Sequence, residues 1–181
     1  MSSSAHAASR PIPVPWRERV VPTSDGRQLR MRAIEGTDEE RLVAFHATLS
    51  EDSVYFRFFA PHPRLAPQEV FRFTHVDGDA RAALVVLDED RIVAVGRYDR
   101  LGESDEAEIA FVVGDAYQHQ GLATALLHAL AELARRHGIG TFVAVTLPEN
   151  RKMRAVFRDA GFDVHSEFRD GCVDVHFDIA G

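Results

Sequence analysis

The stretch YQHQGLAT, residues 117–124, stands between an apolar run and a long helical pattern. A strand, a glycine-bearing loop and a helix start make an anion seat. The free N–H groups of the first helical turn point outward, and the helix dipole adds roughly half a positive charge. Gly121 lets a phosphate approach the backbone closely, and small Ala123 keeps that backbone accessible. Leu122 can anchor the helix to the core. The loop is not a P-loop, because Gly-Lys-Ser/Thr is missing, and it is not a G-x-G-x-x-G fingerprint. The plainer alternative is a helix that begins with glycine and binds nothing.

A second candidate lies just upstream. Along the strand-like run, Ala107, Ile109, Phe111 and Val113 share one face, and Glu108, Ala110 and Val112 share the other. A carboxylate set in an apolar strand pays desolvation, which raises it toward the range of a general base. Small neighbours on that face leave room for a substrate. An amine acceptor needs such a base. A lysine amine, with an ordinary pKa of about 10.4, is an ammonium at neutral pH. The alternative for Glu108 is an edge position paired with an arginine such as Arg97. Glu106, on the same face, is the reserve candidate.

Other chemistries find little support. The nine histidines show no metal-ligand spacing with cysteine or carboxylate partners, so no metal is expected. Cys172 stands alone, which excludes an internal disulfide and suits a reducing cytoplasm. It has no recognisable basic partner that would make it a nucleophile. No G-x-S-x-G elbow occurs. The net charge of -7 argues against nucleic acid and favours a cationic substrate. No stretch approaches the ~20 apolar residues of a membrane span, and residues 1–10 carry no apolar signal core. A cytoplasmic, membrane-free protein is expected.

The elements that must position these residues follow from periodicity. A length of 181 residues with 45% hydrophobic residues suits one domain with a sizeable core. Residues 1–15, rich in Ser and Ala and then carrying Pro11, Pro13 and Pro15, read as a disordered arm before a single domain over 16–181. Asp25-Gly26 marks a turn between two strands. Thr37-Asp38-Glu39-Glu40 reads as a capping box. Two more short helices follow, the second opened by Pro67. Three strands, a helix of about 16 residues from Gly121, a strand, a helix opened by Pro148 and Asn150, and two closing strands complete the order. The fold class is α/β with α+β character: a mixed, mostly antiparallel sheet of about six to seven strands flanked by helices, not a doubly wound sheet.

Gln118-x-x-Gly121-x-Ala123 resembles the Q/R-x-x-G-x-G/A signature of the GNAT superfamily, the acetyl-CoA-dependent N-acetyltransferases. ENRKMRAVFRDAGF, residues 149–162, resembles that family's second cofactor motif. The ordered set runs over residues 84–179. A closer resemblance, covering 16–179, is to the acetyltransferase domain of bacterial protein-lysine acetyltransferases, carried by VPWRERVVPTSDGRQLRMRAI, LSEDSVYFRFF and LAPQEVFRFTHVD. Relatives of that kind often carry an added cyclic-nucleotide-binding or acyl-CoA-ligase-like domain, for which this chain has no room.

The resemblance implies a GNAT fold with acetyl-CoA as co-substrate. It places the pyrophosphate on Gln118, His119, Gln120, Gly121, Leu122, Ala123 and Thr124; the His119 side chain could touch a phosphate, but the plainer reading turns it to solvent. The pantetheine arm would lie like an extra strand along Phe111, Val112 and Val113, and Asn150, Met153 and Phe157 would complete the cofactor site. Glu108 would be the general base, with a backbone N–H near Val112 or Val113 stabilising the oxyanion. The acceptor would be the ε-amine of a protein lysine, with acyl-CoA synthetases as the first proteins to try. Small amines, and a non-catalytic acyl-CoA-binding module, are the alternatives. One departure stands out. Many family members have an acidic tyrosine where this chain has Phe157, which reads as core packing; Tyr117 and Tyr98 are weak substitutes.

Overall fold

The alternation of polar and apolar residues around Asp25-Gly26 makes a hairpin of β1 (Arg19–Pro22) and β2 (Gln28–Ala33). Gly26 takes a φ of 87°, the left-handed conformation such a tight turn favours. This is a computed structural model, and it describes residues 16–181; the arm expected over 1–15 lies outside the described residues. Three short helices follow: α1 (Glu39–Ala47), α2 (Glu51–Phe58) and α3 (Pro67–Thr74). Then come β3 (Arg81–Asp88), β4 (Arg91–Arg100), β5 (Glu106–Val113), α4 (Leu122–Arg136), β6 (Thr141–Thr146), α5 (Arg151–Asp159), β7 (Asp163–Arg169) and β8 (Cys172–Asp178).

All eight strands join one sheet in the order β1-β2-β3-β4-β5-β6-β8-β7. The expected six to seven was too few. The β1–β2 hairpin is not a separate ribbon, because β2 pairs with β3 along Arg30–Ala33 and extends the sheet by both its strands. β5 and β6 run parallel, joined by α4 as the crossover, and the other neighbouring pairs are antiparallel.

Helices cover both faces. Leu126, Leu127, Leu130, Ala131 and Ala134 of α4 are fully buried against one face, with Phe111, Phe142 and Phe177 in the same cluster. α1 buries Leu42 and Phe45 against Val85, Ile92 and Val95 on the opposite face. β3 is therefore apolar along nearly its whole length rather than alternating. Thr37 does not cap α1. A 3-10 turn at Gly36–Asp38 precedes the helix, and the fully buried Asp38 carboxylate turns inward to accept from Arg32 at 2.7 and 2.8 Å and from the Glu35 amide at 2.9 Å. Among the described residues no helix is long and apolar enough to cross a membrane.

The sheet opens at one place. β5 pairs with β6 only through Glu106, Ala107 and Glu108. Beyond that point β5 keeps to β4 up to Val113, while β6 keeps to β8 up to Thr146. The two strands part, and the gap between them is the mouth of a cleft.

Candidate active site

The cleft has a volume of about 940 Å³. Its floor is β5 from Glu108 to Val113 and β6 from Ala144 to Thr146. One wall is α2, the other α5, and the loop 117–124 closes one end. Sequence reasoning had singled out Glu108, Phe111, Val112, Val113, Gln118, His119, Gly121, Leu122, Ala123, Thr124, Asn150, Met153 and Phe157, and the fold brings all of them to this cleft.

At the loop end, Gly121 is the N-cap of α4, with φ 83° and no side-chain cap. A Cβ added there would meet no atom within 4 Å, so the space over its backbone is open. His119 also takes a positive φ, 62°. The backbone turns its N–H groups from His119 to Thr124 away from protein acceptors among the described residues. Ala125 is the first amide to close a helical bond, to the Gly121 carbonyl at 3.0 Å. Leu122 is 1% exposed and fixes the helix start to the core, so it lends the cleft its backbone. Asn150 caps α5 by accepting from the Met153 amide at 3.1 Å.

Gln120 departs from the expectation. It does not line the cleft, because its side-chain oxygen accepts from Ser24 Oγ at 2.6 Å and from the Asp25 amide at 3.2 Å. Its work is to tie the loop to the β1–β2 turn. Gln118 is also bound by its side chain. It donates to Ser53 Oγ at 3.2 Å and accepts from Lys152 Nζ at 2.7 Å. Lys152 is the sole lysine of the chain, and sequence reasoning missed it. A single ammonium two residues beyond Asn150, in a chain whose other basic residues are arginines, was the available signal.

Asp115 joins the loop to α2. It accepts from the Ser50 amide at 2.9 Å, from Ser50 Oγ at 2.7 Å and from Ser53 Oγ at 2.9 Å. Burial pushes its carboxyl up, but the donated bonds from Ser50 and Ser53 outweigh that and hold it below the usual value. The inner residues of α2, including Phe56 and Arg57, are thereby set over the floor.

At the other end, Glu108 is exposed to the cleft rather than desolvated. The expected apolar setting fails because β6 leaves β5 just there, and the space over Glu108 opens. Nor does Glu108 pair with Arg97. Arg97 stands opposite Ala110, packs 4.2 Å from the Phe73 ring and donates to the Phe73 carbonyl at 3.3 Å. Glu108 faces Asp99 across β4. Glu106 lies where β5 and β6 are still paired, outside the cleft lining.

Neither tyrosine replaces the missing acid. Tyr98 is fully buried and donates to the Asp79 carbonyl at 3.0 Å; its hydroxyl is pushed up by burial. Tyr117 lines the cleft but donates to Asp88 at 2.6 Å, which, with burial, raises it. Phe157 is 3% exposed and packs edge-on against Phe177 at 4.8 Å, as core packing requires. Among the described residues no group of three His, Cys, Asp or Glu is placed to hold a metal ion.

A parallel strand pair that splays over a loop of free amides, with a carboxylate at the vertex, defines an acyl-transfer cleft. The chain belongs to the acetyltransferase (GNAT) family, whose model matches residues 44–162. Acetyltransferase PA5475 of Pseudomonas aeruginosa is 31% identical over 142 residues, 76% of each chain. The GNAT domain of PAT from S. lividans, a crystal structure, is 45% identical with a TM-score of 0.85, covering 89% of this chain and 96% of that one. Acetyltransferase Pat of Mycolicibacterium smegmatis is 29% identical over 157 residues, 83% of this chain but 44% of that longer protein.

Proposed function

We propose that this GNAT acetyltransferase moves an acetyl group from acetyl-CoA to the ε-amine of protein lysines in the cytoplasm, by direct attack with Glu108 as general base. The observation that carries the reading is the splayed β5 edge, free beyond Glu108 as far as Val113, with the free amides of residues 119–124 closing the far end of the same cleft.

The residues present fit acetyl-CoA. Six backbone donors at a helix N-terminus and the Lys152 ammonium suit a pyrophosphate. The edge of β5 at Phe111, Val112 and Val113 suits an arm that carries amides. When bound, acetyl-CoA supplies a thioester carbonyl open to attack by an amine. Glu108 receives the proton that the lysine ammonium must lose, directly or through one water. A β5 amide at Val112 or Val113 steadies the oxygen on which charge builds. Phe157 has no proton to offer, so water in the open cleft would supply the one a leaving thiolate takes up.

The protein-lysine acceptor is supported by the 45% identity to the S. lividans PAT domain and by the acidic chain, net -7, which attracts cationic partners. Mass spectrometry after incubation with acetyl-CoA tests it, with acyl-CoA synthetases as protein acceptors beside a panel of small amines. Acetyl-lysine on the proteins supports the reading. Acetylation confined to small amines, or binding without turnover on any amine, replaces it with a metabolite enzyme or an acyl-CoA sensor.

A further inference from the structure

Arg57 is a charged residue at the Glu108 end of the cleft that the chemistry above leaves unused. It projects from α2 into the acceptor end, half-buried, and lines both the cleft and a small cavity behind Ala110 and Val112. A guanidinium has five N–H donors. Among the described residues Arg57 makes no hydrogen bond and no ion pair; its guanidinium lies 5.0 Å from the Phe58 ring. Its neighbours are already engaged. Arg81 holds Asp99 at 3.0 Å, and Arg97 holds the Phe73 carbonyl. Burial works against its charge, while Glu108 and Asp99 favour it from a distance. Arg97, buried close by, lines only the small cavity and adds a second positive charge behind the cleft floor. A half-buried cation with unmet donors, beside the base and facing the acceptor, suits an anion that arrives with the acceptor.

We propose that Arg57 is the seat of a carboxylate on the acceptor, so that the enzyme selects lysines with an acidic residue beside them. The inference rests on the lysine reading above. Glu108 would take the amine and Arg57 the acid, a two-point grip that fixes which lysine enters.

The test compares matched acceptors. One pair is a lysine peptide with a flanking Glu against the same peptide with Gln; the other is γ-aminobutyrate against butylamine. The wild type is expected to prefer the acidic member by about tenfold in kcat/KM. Arg57→Met should remove that preference and Arg57→Lys should keep part of it, with thermal unfolding confirming that both variants fold. Preference seen only in the small-amine pair keeps the carboxylate seat and overturns the lysine reading. Equal rates within each pair for the wild type, or a preference that survives in Arg57→Met, overturn the seat. A loss of turnover in Arg57→Met that is equal for both members shows an arginine that merely balances Glu108 and Asp99. No turnover on either pair overturns both readings.

Discussion

Glu108 is the last residue of β5 that β6 still pairs, opposite Val143, and it faces Asp99 across β4 on its other side. The carboxylate therefore sits at the vertex where the sheet divides. On one side of it the strands are closed by backbone bonds. On the other the β5 edge is left for a substrate. The position matters more than burial: as the proposed base, Glu108 would stand where a thioester held along β5 meets an amine entering over α2.

Gly121 should prove necessary for its conformation and for the open space over its backbone. No protein atom would meet an added Cβ, but the φ of 83° disfavours any L side chain. Gly121→Ala is expected to cost about 1 kcal/mol of stability in denaturant titrations. It should also weaken acetyl-CoA binding, because the methyl group enters the space over the amides. Unchanged stability and affinity would show that the loop is neither strained nor in use.

Lys152 should contribute to cofactor affinity through charge. Lys152→Met removes the ammonium beside Gln118, and calorimetry should show about fivefold weaker acetyl-CoA binding at low salt. The gap between the two proteins should narrow as salt screens the exposed charge. A salt-independent difference would point to the lost Gln118 contact instead.

Asp38 should make stability depend on acid pH. Burial pushes its carboxyl up, but Arg32 and the Glu35 amide outweigh that and hold it below the ordinary value of about 3.9. A depressed folded value means the stabilisation is present above that ordinary value and is lost as pH falls through the folded one. Asp38→Asn should cost about 3 kcal/mol at neutral pH, since it leaves Arg32 without its charge partner. In urea titrations the gap to the wild type should shrink below about pH 4. A gap that does not change with pH would assign the effect to packing.

What could be read from the sequence was local. The apolar stripe of α4, the Asp25-Gly26 turn and the two-residue period that put Glu108 opposite Ile109 each depend on neighbours in the chain. The tie of the Gln120 side chain was not legible because its partner, Ser24, lies 96 residues away. Gln118 is held by Ser53, 65 residues distant, and by Lys152, 34 residues distant. Arg57 is set over the floor by Asp115, which binds Ser50 and Ser53 from 65 and 62 residues away. The exposure of Glu108 depends on β6 leaving β5 for β8, which pairs β6 along its whole length. Thr37-Asp38 had the residue types of a cap, but the half-buried Arg32 outcompeted the helix for the carboxylate.

The central claim is that Glu108 takes the proton of a lysine acceptor. Its most direct test is the steady-state rate of Glu108→Gln with saturating acetyl-CoA and a protein acceptor the wild type acetylates, beside acetyl-CoA affinity measured by calorimetry. A fall in kcat of about a hundredfold or more, with affinity unchanged, is the expected result. Turnover equal to the wild type would contradict it.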